Sequence, residues 1–229
     1  PYGDFVVETD DSCGRLLQAL SDSGQAKNTI VIFSANNGPE KYAYARDSKF
    51  DHWSAHPFRG LKRDVYEGGH HVPFIVKWPG VTKAGTVSDA LVSQIDIMAT
   101  IADFVGYKLP DDQAEDSHNL APLLRGGVDA VRTTHIHNTT NTQYAIRHGD
   151  WVLIDAKEGY SKAHDEAEAW EERHGYPDDD DQPAELFNLV EDIGQRNNLA
   201  AEHPERVAEL QNLLKQIREQ GYSAPRLAK

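Results

Sequence analysis

From Asp4 to Ser23 the apolar residues Phe5, Val6, Cys13, Leu16, Leu17 and Leu20 recur at near-helical spacing, and Gly24 offers a stop. A helix is predicted there, with Cys13 on its apolar face as a core cysteine. Asn28-Thr29 then leads into Ile30-Val31-Ile32-Phe33, whose length and β-branched content predict a buried strand. Helix, turn and apolar strand make half of a crossover unit, which favours a parallel sheet. Residues 39–58 show no clear period, and a loop of that length in a compact domain is usually functional or disordered. Val72 to Trp78 reads as a second strand, with Pro73 tolerated near its start. Ile95, Ile97, Met98, Ile101, Ala102 and Val105 mark one side of a helix over 92–105 that ends at Gly106.

The texture changes near Leu124-Arg125-Gly126-Gly127. Short alternating runs at 133–137, 143–147 and 151–154 predict an antiparallel meander, and Glu185 to Leu189 could add a strand. Val207, Leu210, Leu213, Leu214 and Ile217 fit an amphipathic helix over 204–220. A boundary near residue 126 is expected, dividing 1–125 from a subdomain at 126–229.

Apolar residues make up 39% of the 229 and charged residues 26%, the mixture of an ordinary globular protein able to bury a core. No apolar run approaches the ~18 residues of a membrane-spanning helix. Pro1-Tyr2-Gly3-Asp4 shows neither the basic region nor the apolar stretch of a signal peptide, and a segment cut from a longer chain is expected. The net charge of −14 argues against nucleic acid or an anionic membrane as partner. Much of that charge lies in Asp178 to Asp181, expected as a solvated loop, and in Asp165 to Glu172, expected as an exposed helix face. A polyanionic substrate would also be repelled at long range, so local cations would have to outweigh the global field.

Candidate chemistry concentrates between the two predicted strands. The first strand stops at Ser34-Ala35-Asn36-Asn37-Gly38-Pro39, and oxygen donors at a strand's C-terminal edge suit a hard cation. An Asn-Asn-Gly turn is equally what a chain reversal asks for, because Asn and Gly tolerate positive φ. Downstream come Pro57-Phe58-Arg59-Gly60-Leu61-Lys62 and Glu67-Gly68-Gly69-His70-His71-Val72-Pro73. In this order the residues resemble the formylglycine-dependent sulfatase family, in which a strand ends in Asp-Asn-Gly and is followed by Pro-Phe-Arg-Gly-x-Lys and Glu-Gly-Gly-x-Arg-Val-Pro. Tyr144 to Arg147, Gly149-Asp150-Trp151, Glu185 to Leu189, Asn198-Leu199-Ala200 and His203-Pro204-Glu205 resemble the family's closing segments.

The resemblance covers almost the whole chain but only the C-terminal half of a sulfatase. It implies an α/β, alkaline-phosphatase-like mixed sheet sandwiched by helices, followed by a small antiparallel-sheet subdomain with a packed terminal helix. It implies hydrolysis of a sulfate ester, with a sulfated carbohydrate the expected substrate. Asn36 and Asn37 would be metal ligands, Ca²⁺ the cation, and Lys62 the catalytic lysine on the sulfate oxygens. His52, His56, His135, His137 and Asn138 would contact the substrate, while Arg59 and His71 would be structural. Two departures stand out. Asn36 occupies an Asp position and removes a negative charge from the metal site. His71 replaces an arginine with a group that titrates near ~6.5.

The formylglycine motif, Cys/Ser-x-Pro-x-Arg, is absent, since Cys13 lies in Ser12-Cys13-Gly14-Arg15 with no proline. The nucleophile and the remaining metal carboxylates would come from an N-terminal half that this segment requires. By analogy with the family a periplasmic or extracellular location is expected. A phosphoesterase or phosphonate hydrolase of the same superfamily, and a catalytically inactive carbohydrate-binding relative, remain alternative readings.

Overall fold

The computed structural model describes residues 1–161, 166–177 and 181–225, which fall into two compact units. Asp165 and Asp178–Asp180 of the acidic runs lie outside the described residues.

The first unit holds residues 1–34 and 74–87. Helix α1 (Tyr2–Asp22) closes where the Ser23 amide donates to Ala19 O, and Gly24 turns the chain at φ 73°. No residue of α1 is buried, so Cys13 is half-exposed rather than a core residue. Strand β1 (Val31–Ser34) pairs with β2 (Phe74–Lys77) in the register Ile32↔Val76, Phe33↔Ile75. That pairing is antiparallel, which corrects the parallel expectation for these two strands. The crossover rule applies to strands joined directly through one helix, whereas the 39 residues between β1 and β2 can return the chain in either direction. Ile32 and Phe33 are also exposed rather than buried. Pairing begins at Phe74 because Pro73 has no N–H to give a ladder.

The second unit holds residues 35–73 and continues from Ser88. Its centre is the antiparallel sheet β3 (Thr134–Thr140), β4 (Gln143–His148), β5 (Trp151–Ile154) and β6 (Glu185–Asn188), in that spatial order. Both faces of its middle are covered. Alternation sends Ala145, Val152, Ile154 and Phe187 into one core and Ile146, Leu153 and Leu186 into the other. The terminal helix α7 (Pro204–Gln220) buries Leu210 and Leu214 against the second face, and each such leucine contributes roughly 1.5–3 kcal/mol.

The other face carries an aromatic core of Tyr44, Tyr66, Tyr160, Trp170 and Tyr176. Tyr44 belongs to α2 (Tyr42–Phe50), a helix inside the stretch expected to be a loop, and Trp170 to α6 (Ala167–His174). Glu168 and Glu172 of α6 are exposed as expected, but Glu171 is half-buried and Ala167 and Trp170 turn inward. Two short helices, α3 (Glu67–His70) and α5 (Ala121–Leu124), flank α4 (Asp96–Phe104) in sequence. α4 starts four residues later than predicted because the Asp96 carboxylate accepts the Ser93 amide at 2.8 Å and fixes the entry turn. Among the described residues no helix is long and apolar enough to cross a membrane.

Candidate functional site

The second unit brings three pieces of chain together. After Ser34 the chain bends through Asn36–Gly38, and the Gly38 amide donates to Gly69 O at 2.9 Å. A Cβ on Gly38 would lie 1.8 Å from Gly68 O, so only glycine permits this approach. The Lys62 amide donates to Pro39 O at 2.9 Å, which seats the lysine turn against the same loop. That turn depends on Gly60 at φ 79° and on Asp64, whose two oxygens accept the Leu61 amide at 2.7 Å and the Ser161 amide at 2.8 Å. Glycines 68 and 69 pack as tightly, since an added Cβ would fall 2.2 Å from Gly60 O and 2.1 Å from Asp64 O respectively.

The structure therefore places Asn36, Asn37 and Lys62 around one loop junction. Asn36 is exposed, while the Asn37 side-chain nitrogen donates to Gly38 O at 2.9 Å and leaves its oxygen for another partner. A Ca²⁺ ion takes about six to eight oxygens. Two amide oxygens make one corner of such a site. Among the described residues no group of three or more His, Cys, Asp or Glu side chains is arranged to hold a metal.

Lys62 has a partner that sequence reasoning missed. Its Nζ lies 3.2 Å from Glu40 Oε2, and Arg63 reaches Glu40 Oε1 at 2.9 Å. The Lys41 amide and these two cations hold the Glu40 carboxyl down at about 2, so it stays ionised at any physiological pH. No spacing rule pointed to it; only the fold brings residue 40 to residue 62.

Arg59 anchors the other side of the turn. Its guanidinium pairs with Glu171, lies 3.4 Å from Glu185, and donates to Gln195 O at 3.2 Å. The rings of Tyr66, Tyr160 and Tyr176 surround it at 4.2, 5.2 and 5.1 Å. Burial pushes the Glu185 carboxyl up to about 7, partly offset by Arg59 and by the Tyr66 hydroxyl that donates to it at 2.8 Å. Gln195 ties in α3 as well, accepting the Glu67 amide at 2.7 Å.

On β3, His135 and His137 share a face, their rings 5.8 Å apart and 18° from parallel. His137 Nε2 donates to Val65 O at 2.9 Å, and its ring lies 3.8 Å from that of His70. The strand thus meets the Lys62 turn and α3. Asn138, by contrast, is exposed on the alternate face and donates to Thr140 O at 3.1 Å across a bulge. His56 packs edge-on to Trp53, which contacts Trp170 and His174 of α6, so it joins that aromatic group and not the β3 histidines. His52 is exposed on the same turn.

Glu67 and His70 are further residues not singled out from sequence. Burial alone would raise the Glu67 carboxyl, but the His71 hydrogen bond at 2.7 Å and the nearby His70 and His137 bring it to about 2. His71 also stacks on Phe58 at 4.2 Å. The Glu-x-x-x-His spacing of 67 and 71, neighbours on one helical turn, was the available signal.

Amide oxygens, an ammonium and a histidine-bearing strand gathered by glycine-lined loops can engage an oxyanion. Comparison with known proteins narrows the class. A family model described as Sulfatase matches residues 1–107, and one described as N-sulphoglucosamine sulphohydrolase, C-terminal, matches residues 60–220. The chain belongs to the sulfatase family. An N-acetylgalactosamine-6-O-sulfatase of Bacteroides thetaiotaomicron is 32% identical over 221 residues, 94% of this chain and 41% of that protein. A mouse steryl-sulfatase is 38% identical over 134 residues, 58% of this chain and 21% of that one.

Among solved structures, one from work on glycosaminoglycan metabolism by B. thetaiotaomicron gives a TM-score of 0.75 at 30% identity, covering 95% of this chain and 44% of that one. A sulfatase from Pseudoalteromonas gives 0.74 at 23% identity, covering 98% and 44%. The α/β, alkaline-phosphatase-like fold expected from sequence is the fold of these structures. The chain spans about two fifths of the length of the B. thetaiotaomicron relative.

Proposed function

We propose that this chain forms the sulfate-handling and sugar-facing part of an enzyme that hydrolyses sulfate esters of a carbohydrate. The observation that carries the reading is the seating of the Lys62 turn on the Asn36–Pro39 loop, through the Lys62 amide to Pro39 O and the Gly38 amide to Gly69 O. Lys62 would place its ammonium on the non-bridging sulfate oxygens, exchanging Glu40 for the substrate. Asn36 and Asn37 would give two oxygen ligands to Ca²⁺, with the carboxylate ligands supplied from outside this chain. When bound, the cation would neutralise sulfate charge, and a formylglycine supplied from outside this chain would be the nucleophile. His135 and His137 would meet the sugar, as would the turn bearing His52 and His56.

The missing partner surface is part of this reading. Phe5, Val7 and Leu16 of α1, with Phe33 and Ile75 of the β1–β2 pair, are exposed apolar groups. They support packing against an N-terminal half that holds the nucleophile, and the enzyme would act in the periplasm or outside the cell.

Full-length protein with Lys62→Ala tests the assignment. Loss of most turnover of aryl or sugar sulfates is expected, and a rate like that of the parent would remove Lys62 from the mechanism. One feature favours a second reading: Asn36 leaves the cation site without a charge that an aspartate would provide. If the full-length protein is inactive and Asn36→Asp restores turnover, the chain belongs to an enzyme carrying a crippling substitution; if turnover stays absent, it belongs to a binding protein derived from an enzyme.

A further inference from the structure

The face of β3 that carries His135 and His137 is controlled from behind. Arg132, almost fully buried, pairs through Nη2 with Asp96 Oδ1 and donates from the same nitrogen to Asp116 O at 2.7 Å. Asp96 is itself fixed, accepting the amides of Ser93 at 2.8 Å and His118 at 2.9 Å. The second guanidinium nitrogen, Nη1, lies 3.0 Å from His135 Nδ1. Arginine can only donate, so Nδ1 must hold a lone pair and the ring proton must sit on Nε2. His137 holds the same tautomer but is anchored through its other nitrogen. Val65 O can only accept, so Nε2 carries the proton and Nδ1 the lone pair. That Nδ1 is shielded from solvent and unpaired.

We propose that Arg132, held by Asp96, is a positioning residue that locks His135 as a neutral Nε2–H donor beside the Nδ1 acceptor of His137. His135 then offers a sugar oxygen one fixed donor, its Nε2–H, while the buried Nδ1 of His137 stays out of reach. This rests on the reading that β3 faces the substrate. It also excludes His135 as a proton donor of the imidazolium type. The groups facing His135 are Arg132 from the approach to the strand, His137 on the strand, Arg147 opposite it on β4, Asp96 at the start of α4 and Glu67 of α3. Burial, His137 and Arg132 outweigh the two carboxylates and hold His135 down at about 4. Burial and His70 hold His137 at about 3.

Full-length protein labelled with ¹⁵N-histidine reads the ring nitrogens directly. His135 should show an unprotonated Nδ1 and a protonated Nε2, with no titration across neutral pH. In Arg132→Gln the two tautomers should mix, while burial and His137 still hold the ring below the ordinary ~6.5. A parent His135 protonated on Nδ1, or titrating near that value, overturns the lock even if no Arg132 variant folds. Kinetics test the substrate half with N-acetylgalactosamine 6-sulfate and p-nitrophenyl sulfate as probes. Arg132→Gln and His135→Ala should each raise KM for the sugar sulfate about fivefold or more, with a smaller change for the aryl sulfate. His135→Gln, which keeps an N–H, should recover part of that loss. A correct tautomer with an unmoved sugar KM in all three variants takes β3 out of the substrate site.

Discussion

Replacing Gly38 with alanine should damage both stability and turnover, and the structure says by how much. The new methyl carbon would start 1.8 Å from Gly68 O, 2.9 Å from Gly68 C and 3.2 Å from Gly69 C. The first contact is with backbone, which cannot rotate away, so one loop must retreat by more than an ångström. That retreat stretches the 2.9 Å bond from the Gly38 amide to Gly69 O and unsettles the Pro39 carbonyl that seats Lys62. Forced overpacking costs about 1–3 kcal/mol and a lost buried hydrogen bond about 1 more. The second effect is on rate, because a displacement of ~1 Å at a reacting group can cost on the order of a hundredfold. Thermal melting and sulfate-ester turnover of the full-length Gly38→Ala protein would measure the two together. A variant with the parent's melting temperature and kcat would show that the glycine approach does not hold the site.

Two other perturbations reach the surrounding charges. Glu40→Gln should free Lys62 and Arg63 from their shared carboxylate, so inorganic sulfate should inhibit the full-length enzyme a few-fold more tightly; unchanged inhibition would mean the pair does not compete with the substrate anion. Glu185 holds its proton more tightly when folded, up to about 7 against 4.5, so the stability it gives is complete below 4.5 and is lost as pH rises through about 7. Glu185→Gln should remove that loss, and its melting temperature should gain on the parent's across this interval; parallel profiles would contradict the burial argument.

The elements with strict alternation or a strict helical stripe were legible. The meander at 134–154 and the terminal helix fall where Ile146, Leu153, Leu210 and Leu214 put them, because each buries a defined face. α2 escaped detection since its buried residues are Ala43, Tyr44 and Asp47, too polar to form a stripe. The sense of β1–β2 pairing was illegible, because an apolar run carries no direction. At the site, the motif residues Asn36, Asn37, Arg59 and Lys62 could be named because their order along the chain resembles that of the sulfatase motifs. Glu40, Arg132 and Asp96 could not. Their partners lie 22, 3 and 36 positions away, and a charge among many charges carries no mark of its partner.

The tyrosine-walled pocket around Arg59 has a consequence for evolution of the enzyme. One guanidinium grips α6, β6 and the Gln195 loop while sitting three residues ahead of Lys62. Insertions or exchanges far along the chain can therefore shift the Lys62 turn without altering a single motif residue.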